Sequence, residues 1–185
     1  MTTHDIADKV GGLDADATSI GLHSDQLNLL RTYLRDHEAA AVGGLQLFRR
    51  CCKANRGTAY AAELQRLTEE IRSDRDALRR ICLFFVAEYS NVGRAAAYAG
   101  ATLGRVKMNG RVFKYSPLSR VLELEALSGG VMTKLRLWES LLPLSAVDER
   151  LDEDELKRRI AGAIDQLAAL QRLHDMAADE AFSSS

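Results

Sequence analysis

The chain has 185 residues, with 25 Lys or Arg against 26 Asp or Glu, a net charge of −1 at pH 7, 46% hydrophobic and 28% charged residues. That length suits one domain able to bury its own core without staples, and the near-zero charge excludes both a whole-protein polycation and a disordered acidic chain. No apolar run approaches the ~18 residues of a membrane span and no basic segment leads into an apolar N-terminal core, so a cytoplasmic protein without a transmembrane segment is expected.

Three cysteines, Cys51, Cys52 and Cys82, are odd in number, two are adjacent, and all fall in helical patterns. They read as buried small hydrophobes in a reducing compartment rather than as a redox pair. Abundant Ala and Leu with only two prolines favour long helices.

Residues 1–23 carry Gly11, Gly12 and Gly21 without sustained periodicity, which predicts a loose N-terminal arm ahead of a single domain over residues 24–182, with 183–185 a frayed tail. Ser24 or Asp25 supplies a cap for a first long helix to about residue 55. Its stripe runs Leu27, Leu30, Leu34, His37, Ala41, Gly44, Phe48, Cys51, a 3-4-3-4 spacing interrupted by one polar group. Gly57 closes the helix in a left-handed turn and Thr58 caps a second, over about residues 59–88, with the stripe Leu64, Leu67, Ile71, Asp74, Leu78, Ile81, Phe85. In an antiparallel pair turning at Arg56 and Gly57, His37 and Asp74 fall within about 3 Å in height and are expected to be neighbours.

Between Glu88 and Glu123 there is no acidic residue, while Arg94, Arg105, Lys107, Arg111, Lys114 and Arg120 supply six positive charges. The first part reads as a short small-residue helix over about 92–103, and residues 105–114 as a small β-hairpin about the Asn109-Gly110 turn. Its register puts Val106, Met108 and Phe113 on one face and Arg105, Lys107 and Lys114 on the other. Ser116 and Pro117 start a third long helix to about residue 142, with Leu118, Val121, Glu125, Ser128, Met132 and Leu135 as inward candidates. The last helix, about 148–181, shows Leu156, Ile160, Ala163, Leu167, Leu170 and His174 at 4-3-4-3-4 spacing.

The fold expected is therefore all-α: a four-helix bundle with a short helix and a small β-hairpin in the connection between its second and third long helices. Its inward polar set, His37, Asp74, Glu125 and His174, mixes imidazole and carboxylate from four helices, the raw material of a core site for iron, manganese or zinc. If the bundle runs up and down in turn, the His37/Asp74 and Glu125/His174 pairs differ in height by roughly 6 to 9 Å and one cluster is conceivable; a connection crossing the bundle separates them by about 15 Å. The plainer alternative for His37 and Asp74 is a buried hydrogen-bonded pair that fixes helix register, and acid-base catalysis is a third.

The segments Tyr33-Leu34-Arg35-Asp36-His37, Glu69-Glu70-Ile71-Arg72-Ser73-Asp74-Arg75, Asn109-Gly110-Arg111 and Tyr115-Ser-Pro-Leu-Ser-Arg-Val-Leu-Glu-Leu-Glu125 resemble those of an uncharacterised bacterial helical-bundle family placed near the ferritin-like bundles. The resemblance covers about residues 27–142 and implies the bundle but no activity. The ferritin-like di-iron pattern has Glu-x-x-His on two helices, and this sequence has neither. No phosphate-binding Gly-rich loop, nucleophile elbow or zinc-spaced Cys/His set is present. The leading expectation is a non-enzymatic binding or scaffold protein that meets a polyanionic or acidic partner through the six cations of the acid-free segment. A ferritin-like metal-binding or redox bundle is the alternative, and a homodimer stays open.

Overall fold

The computed structural model describes residues 22–86 and 115–183. Among them lie four long helices, α1 (Ser24–Ala54), α2 (Ala61–Phe85), α3 (Pro117–Leu141) and α4 (Glu153–Phe182), with a short 3-10 helix, Leu142–Ala146, joining α3 to α4. The described chain is all-helical, as the spacing predicts. The expected short helix and hairpin over 92–114, and residues 1–21 of the arm expected over 1–23, lie outside the described residues; of the remaining two, Leu22 packs against the core and His23 is the N-cap of α1.

Local chemistry sets most of the boundaries. Gly57 takes φ 77°, which only glycine adopts without strain, and turns the chain between α1 and α2. Ser116 accepts from Ser119 N at 3.1 Å with Pro117 at the first helical position, as read from the sequence. Three starts differ from expectation. α1 begins at Ser24 with His23 as its N-cap, whose backbone N–H donates to Gln26 Oε1 at 3.0 Å, so neither Ser24 nor Asp25 is the cap. Thr58 donates to Asn55 O at 2.7 Å and so closes the turn rather than capping α2, which begins at Ala61. α4 begins at Glu153 because Asp152 accepts from Glu155 N at 2.9 Å, while Asp148 upstream is held by Arg150 in a turn.

Cross-helix contacts give the direction of each helix. Arg31 Nε, near the start of α1, donates to Phe85 O at the end of α2 at 2.7 Å, and Tyr33 OH meets Ser140 Oγ near the end of α3 at 3.4 Å. Arg80 of α2 pairs with Glu155 at the start of α4 at 2.9 Å. At the other end, Arg50 of α1 meets Glu123 near the start of α3 at 3.0 Å, and Arg120 pairs with Glu180 near the end of α4. The helices therefore run up, down, down, up. Val86 closes one end of the bundle and Tyr115 opens the other, so residues 87–114 connect opposite ends. This is the one-crossover order of four-helix bundles.

The core is divided. One apolar cluster, with Phe48, Tyr60, Leu64, Leu67, Leu124, Leu127 and Leu170, fills the end where α1 meets α2. The other, with Leu34, Leu78, Phe85, Trp138, Leu141 and Leu156, fills the opposite end. Between Ile71 of the first and Leu78 of the second stands Asp74, and Lys134, next to Leu135 of the first and three residues before Leu137 of the second, marks the same level on α3. A polar layer separates the two halves of the core.

Candidate functional site

Asp74 is the centre of that layer. It is 5% exposed, and its carboxylate accepts from Lys134 Nζ of α3, from Arg159 of α4 at 3.0 Å and from Gln166 Nε2 of α4 at 3.3 Å. Gln166, 2% exposed, turns its carbonyl to Lys134 and its amide also to Glu70 at 3.2 Å. With 14% of its side chain exposed, Lys134 is drawn below the usual lysine range by burial, while the Asp74 carboxylate pulls the other way. Three helices thus supply a closed charge network in which each buried ionic group has an opposite partner.

The expected constellation is not assembled. Asp74 has Lys134, Arg159 and Gln166 as partners and His37 is not among them. Cys82 Sγ donates to Leu34 O at 3.8 Å and Arg75 pairs with Glu38 at 3.5 Å, contacts that put His37 level with about residues 76–79, some two to five residues or ~3 to 7 Å from the level of Asp74. His37 is half-buried, packs edge-on against the Tyr33 ring with centroids 4.4 Å apart, and is held below the usual histidine range by burial, with Asp36 opposing. Glu125 and His174 do meet, with Nε2 3.3 Å from Oε1, but at the surface, Glu125 being 55% exposed. Arg172 pairs with Glu63 at 3.7 Å, so His174 stands near the level of residue 61, about 13 residues or ~20 Å along the axis from Asp74. The crossover order separates the two pairs. Among the described residues no group of three or more His, Cys, Asp or Glu is placed to hold a metal.

Rotation of two faces accounts for the difference. In α3 the inward carboxylate is Glu123 rather than Glu125, and Leu118 and Met132 are exposed. Apolar residues surround that helix, so no single face is dictated by the pattern. In α4 the buried set Ala163, Gln166, Leu170, Leu173, Ala177 keeps 3-4-3-4 spacing but is offset from the expected stripe, which carries His174 toward solvent.

A second polar cluster sits where the chain re-enters the bundle at Tyr115. Asn55, fully buried, donates to Tyr115 OH at 2.8 Å, and Tyr115 OH donates to Glu123 at 3.1 Å. Arg120 donates to Asn55 Oδ1 at 2.8 Å, pairs with Glu180 and lies over the Tyr60 ring at 4.3 Å. Its side chain is 12% exposed. The sequence pattern counts Arg120 among the partner-facing cations; the fold commits it to this internal network instead. Arg94, Arg105, Lys107, Arg111 and Lys114 lie outside the described residues. Close by, burial pushes the Cys51 thiol up to about 12, and Cys82 likewise to about 12, so both stay protonated at neutral pH.

Lys134, Arg159 and Gln166 are the members of the layer that the sequence pattern does not single out, although Gln166 lies in step with Ala163 and Leu170. No protein-family model matches this chain, and no curated protein or solved structure matches it significantly. No helix among the described residues is long and apolar enough to cross a membrane.

Proposed function

We propose that this chain is a non-enzymatic binding or scaffold protein in which a stiff helical bundle carries the acid-free basic segment toward a polyanionic partner. The supporting observation is the charge distribution. From residue 89 to residue 122 no Asp or Glu occurs while six Lys or Arg do, and of these six Arg120 is neutralised internally by Glu180. Five cations remain within a stretch that supplies no counter-charge of its own. Both flanks rest on described structure: Val86 in the apolar cluster at one end, and Tyr115 hydrogen-bonded to Asn55 and Glu123 at the other. Tethering at both ends limits the chain entropy given up when a partner engages such a segment. The polar layer in the core fits the same reading, since its charges are mutually neutralised and serve helix register rather than a reaction.

The test is salt-dependent binding to single-stranded nucleic acid and to anionic vesicles, each against an uncharged control. Replacing Arg105, Lys107, Arg111 and Lys114 together by Ser is expected to leave the circular dichroism of the bundle unchanged and to reduce the log-log salt slope by about 0.7 for each single-strand phosphate that no longer meets a cation. Wild-type protein that binds neither probe at low ionic strength overturns the reading.

A further inference from the structure

We propose that the open seam between α2 and α4 binds a small zwitterion, a molecule carrying an ammonium and a carboxylate on one short chain, held between Arg158 and Asp165 above Gly162. Of the four adjacent helix pairs, α2 and α4 touch least. They leave a groove of about 410 Å³ whose walls include Arg66, Glu70, Ser73, Arg158 and Asp165, a lining of charged and polar residues whose aliphatic stems can meet a short methylene chain.

Most of the charges lining the groove are already neutralised. Arg66 pairs with Glu63 at 2.7 Å and also with Glu70, Glu155 pairs with Arg80 at 2.9 Å and Arg159 at 3.1 Å, and Asp74 has Lys134 and Arg159. Two are left over. Neither Arg158 nor Asp165 forms an ion pair or a side-chain hydrogen bond among the described residues. They stand on one face of α4 with Gly162 between them, at i, i+4 and i+7, about 10.5 Å apart along the axis. One cation and one anion without a protein partner among the described residues, both open to solvent on the same wall, match a ligand with both charges and no net charge.

Gly162 adds room on the same wall. Glycine weakens a helix interior, and a Cβ built here meets nothing within 4 Å, so neither a close neighbour nor an unusual backbone angle requires it. What the missing side chain leaves is floor space midway between the two unmatched charges. This inference does not depend on the basic segment, and its probes are small molecules that carry no net charge.

The experiment titrates the full chain with glycine, 4-aminobutyrate and 6-aminohexanoate, followed by calorimetry and amide shifts, with butyrate and butylamine as singly charged controls. Saturable binding of at least one amino acid in the series is expected, with the singly charged controls roughly tenfold weaker, as for loss of one charged hydrogen bond. Arg158→Gln and Asp165→Asn each lower affinity by a similar factor. The paired exchange Arg158→Glu with Asp165→Lys retains binding, because a zwitterion can reverse its direction. Gly162→Leu is expected to raise Tm and abolish binding, whereas Gly129→Leu, also in open space, raises Tm and leaves binding intact. Absence of saturable binding across the series, equal binding of the singly charged controls, or unchanged affinity in Gly162→Leu overturns the proposal.

Discussion

Removal of Asp74 is the sharpest probe of the polar layer. In Asp74→Leu the Lys134 ammonium keeps only the Gln166 carbonyl, and Arg159 falls back on Ser73 and Glu155. A buried ion pair broken from one side costs about 3–5 kcal/mol. Lys134→Met is milder, about 1–3 kcal/mol, because Asp74 retains Arg159 at 3.0 Å and Gln166 at 3.3 Å. Combined, the two changes remove both charges and place apolar volume between two apolar clusters, so the double variant is expected to recover about 1–3 kcal/mol relative to the sum. Urea denaturation of the four proteins, with the slope m unchanged, reads the cycle directly. Losses that add within about 0.5 kcal/mol refute the coupling between Asp74 and Lys134. Repeating the cycle with His37→Leu in place of Lys134→Met should give additivity, since His37 and Asp74 share no bond.

Three further outcomes follow from local environments. Because burial holds His37 below the usual histidine range, the unfolded chain takes up a proton first as pH falls through about 6.5, and stability drops across that window until the folded-state pKa is passed; His37→Gln removes this component, as pH-dependent urea midpoints and imidazole NMR titration will show. Gly129→Ala and Gly130→Ala, where an added Cβ meets nothing within 4 Å, should each raise stability by about 0.5–1 kcal/mol in thermal melts, and a loss of stability contradicts the open-face geometry. Arg120→Gln is expected to destabilise by about 2 kcal/mol, since Asn55 and Glu180 lose a charged donor, while leaving polyanion binding at wild-type strength; weakened binding shows that Arg120 serves the partner after all.

Four helices, the Gly57 turn and the Ser116-Pro117 start are legible in the sequence because each is fixed by local chemistry: hydrophobic period, a left-handed glycine, a hydroxyl cap. Asp74 stands out as the one polar member of an apolar stripe. Its partners are not legible, for two reasons. Which side of α3 faces inward depends on neighbours, since Leu118, Leu122, Leu124 and Leu127 surround the helix, and this hides the choice between Glu123 and Glu125. Height matching also assumes a turn and a topology: a shift of a few residues moves His37 away from Asp74, and the crossover moves Glu125 and His174 to another level. Long-range register is a property of the docked helices, and no single stripe contains it.

Chain connectivity gives the polar layer a role during assembly. α1 with α2, and α3 with α4, are hairpins of sequence neighbours that can form early from local contacts. Asp74 belongs to the first hairpin, whereas Lys134, Arg159 and Gln166 belong to the second, so Asp74 gains its partners only when the two halves meet. Leucine-rich faces tolerate sliding. A slip of one helical turn, about 5.4 Å, would still bury them but would trap Asp74 and Lys134 apart, each charged and without its counterion in an apolar layer. The layer therefore penalises misaligned halves and favours a single alignment of two otherwise permissive surfaces.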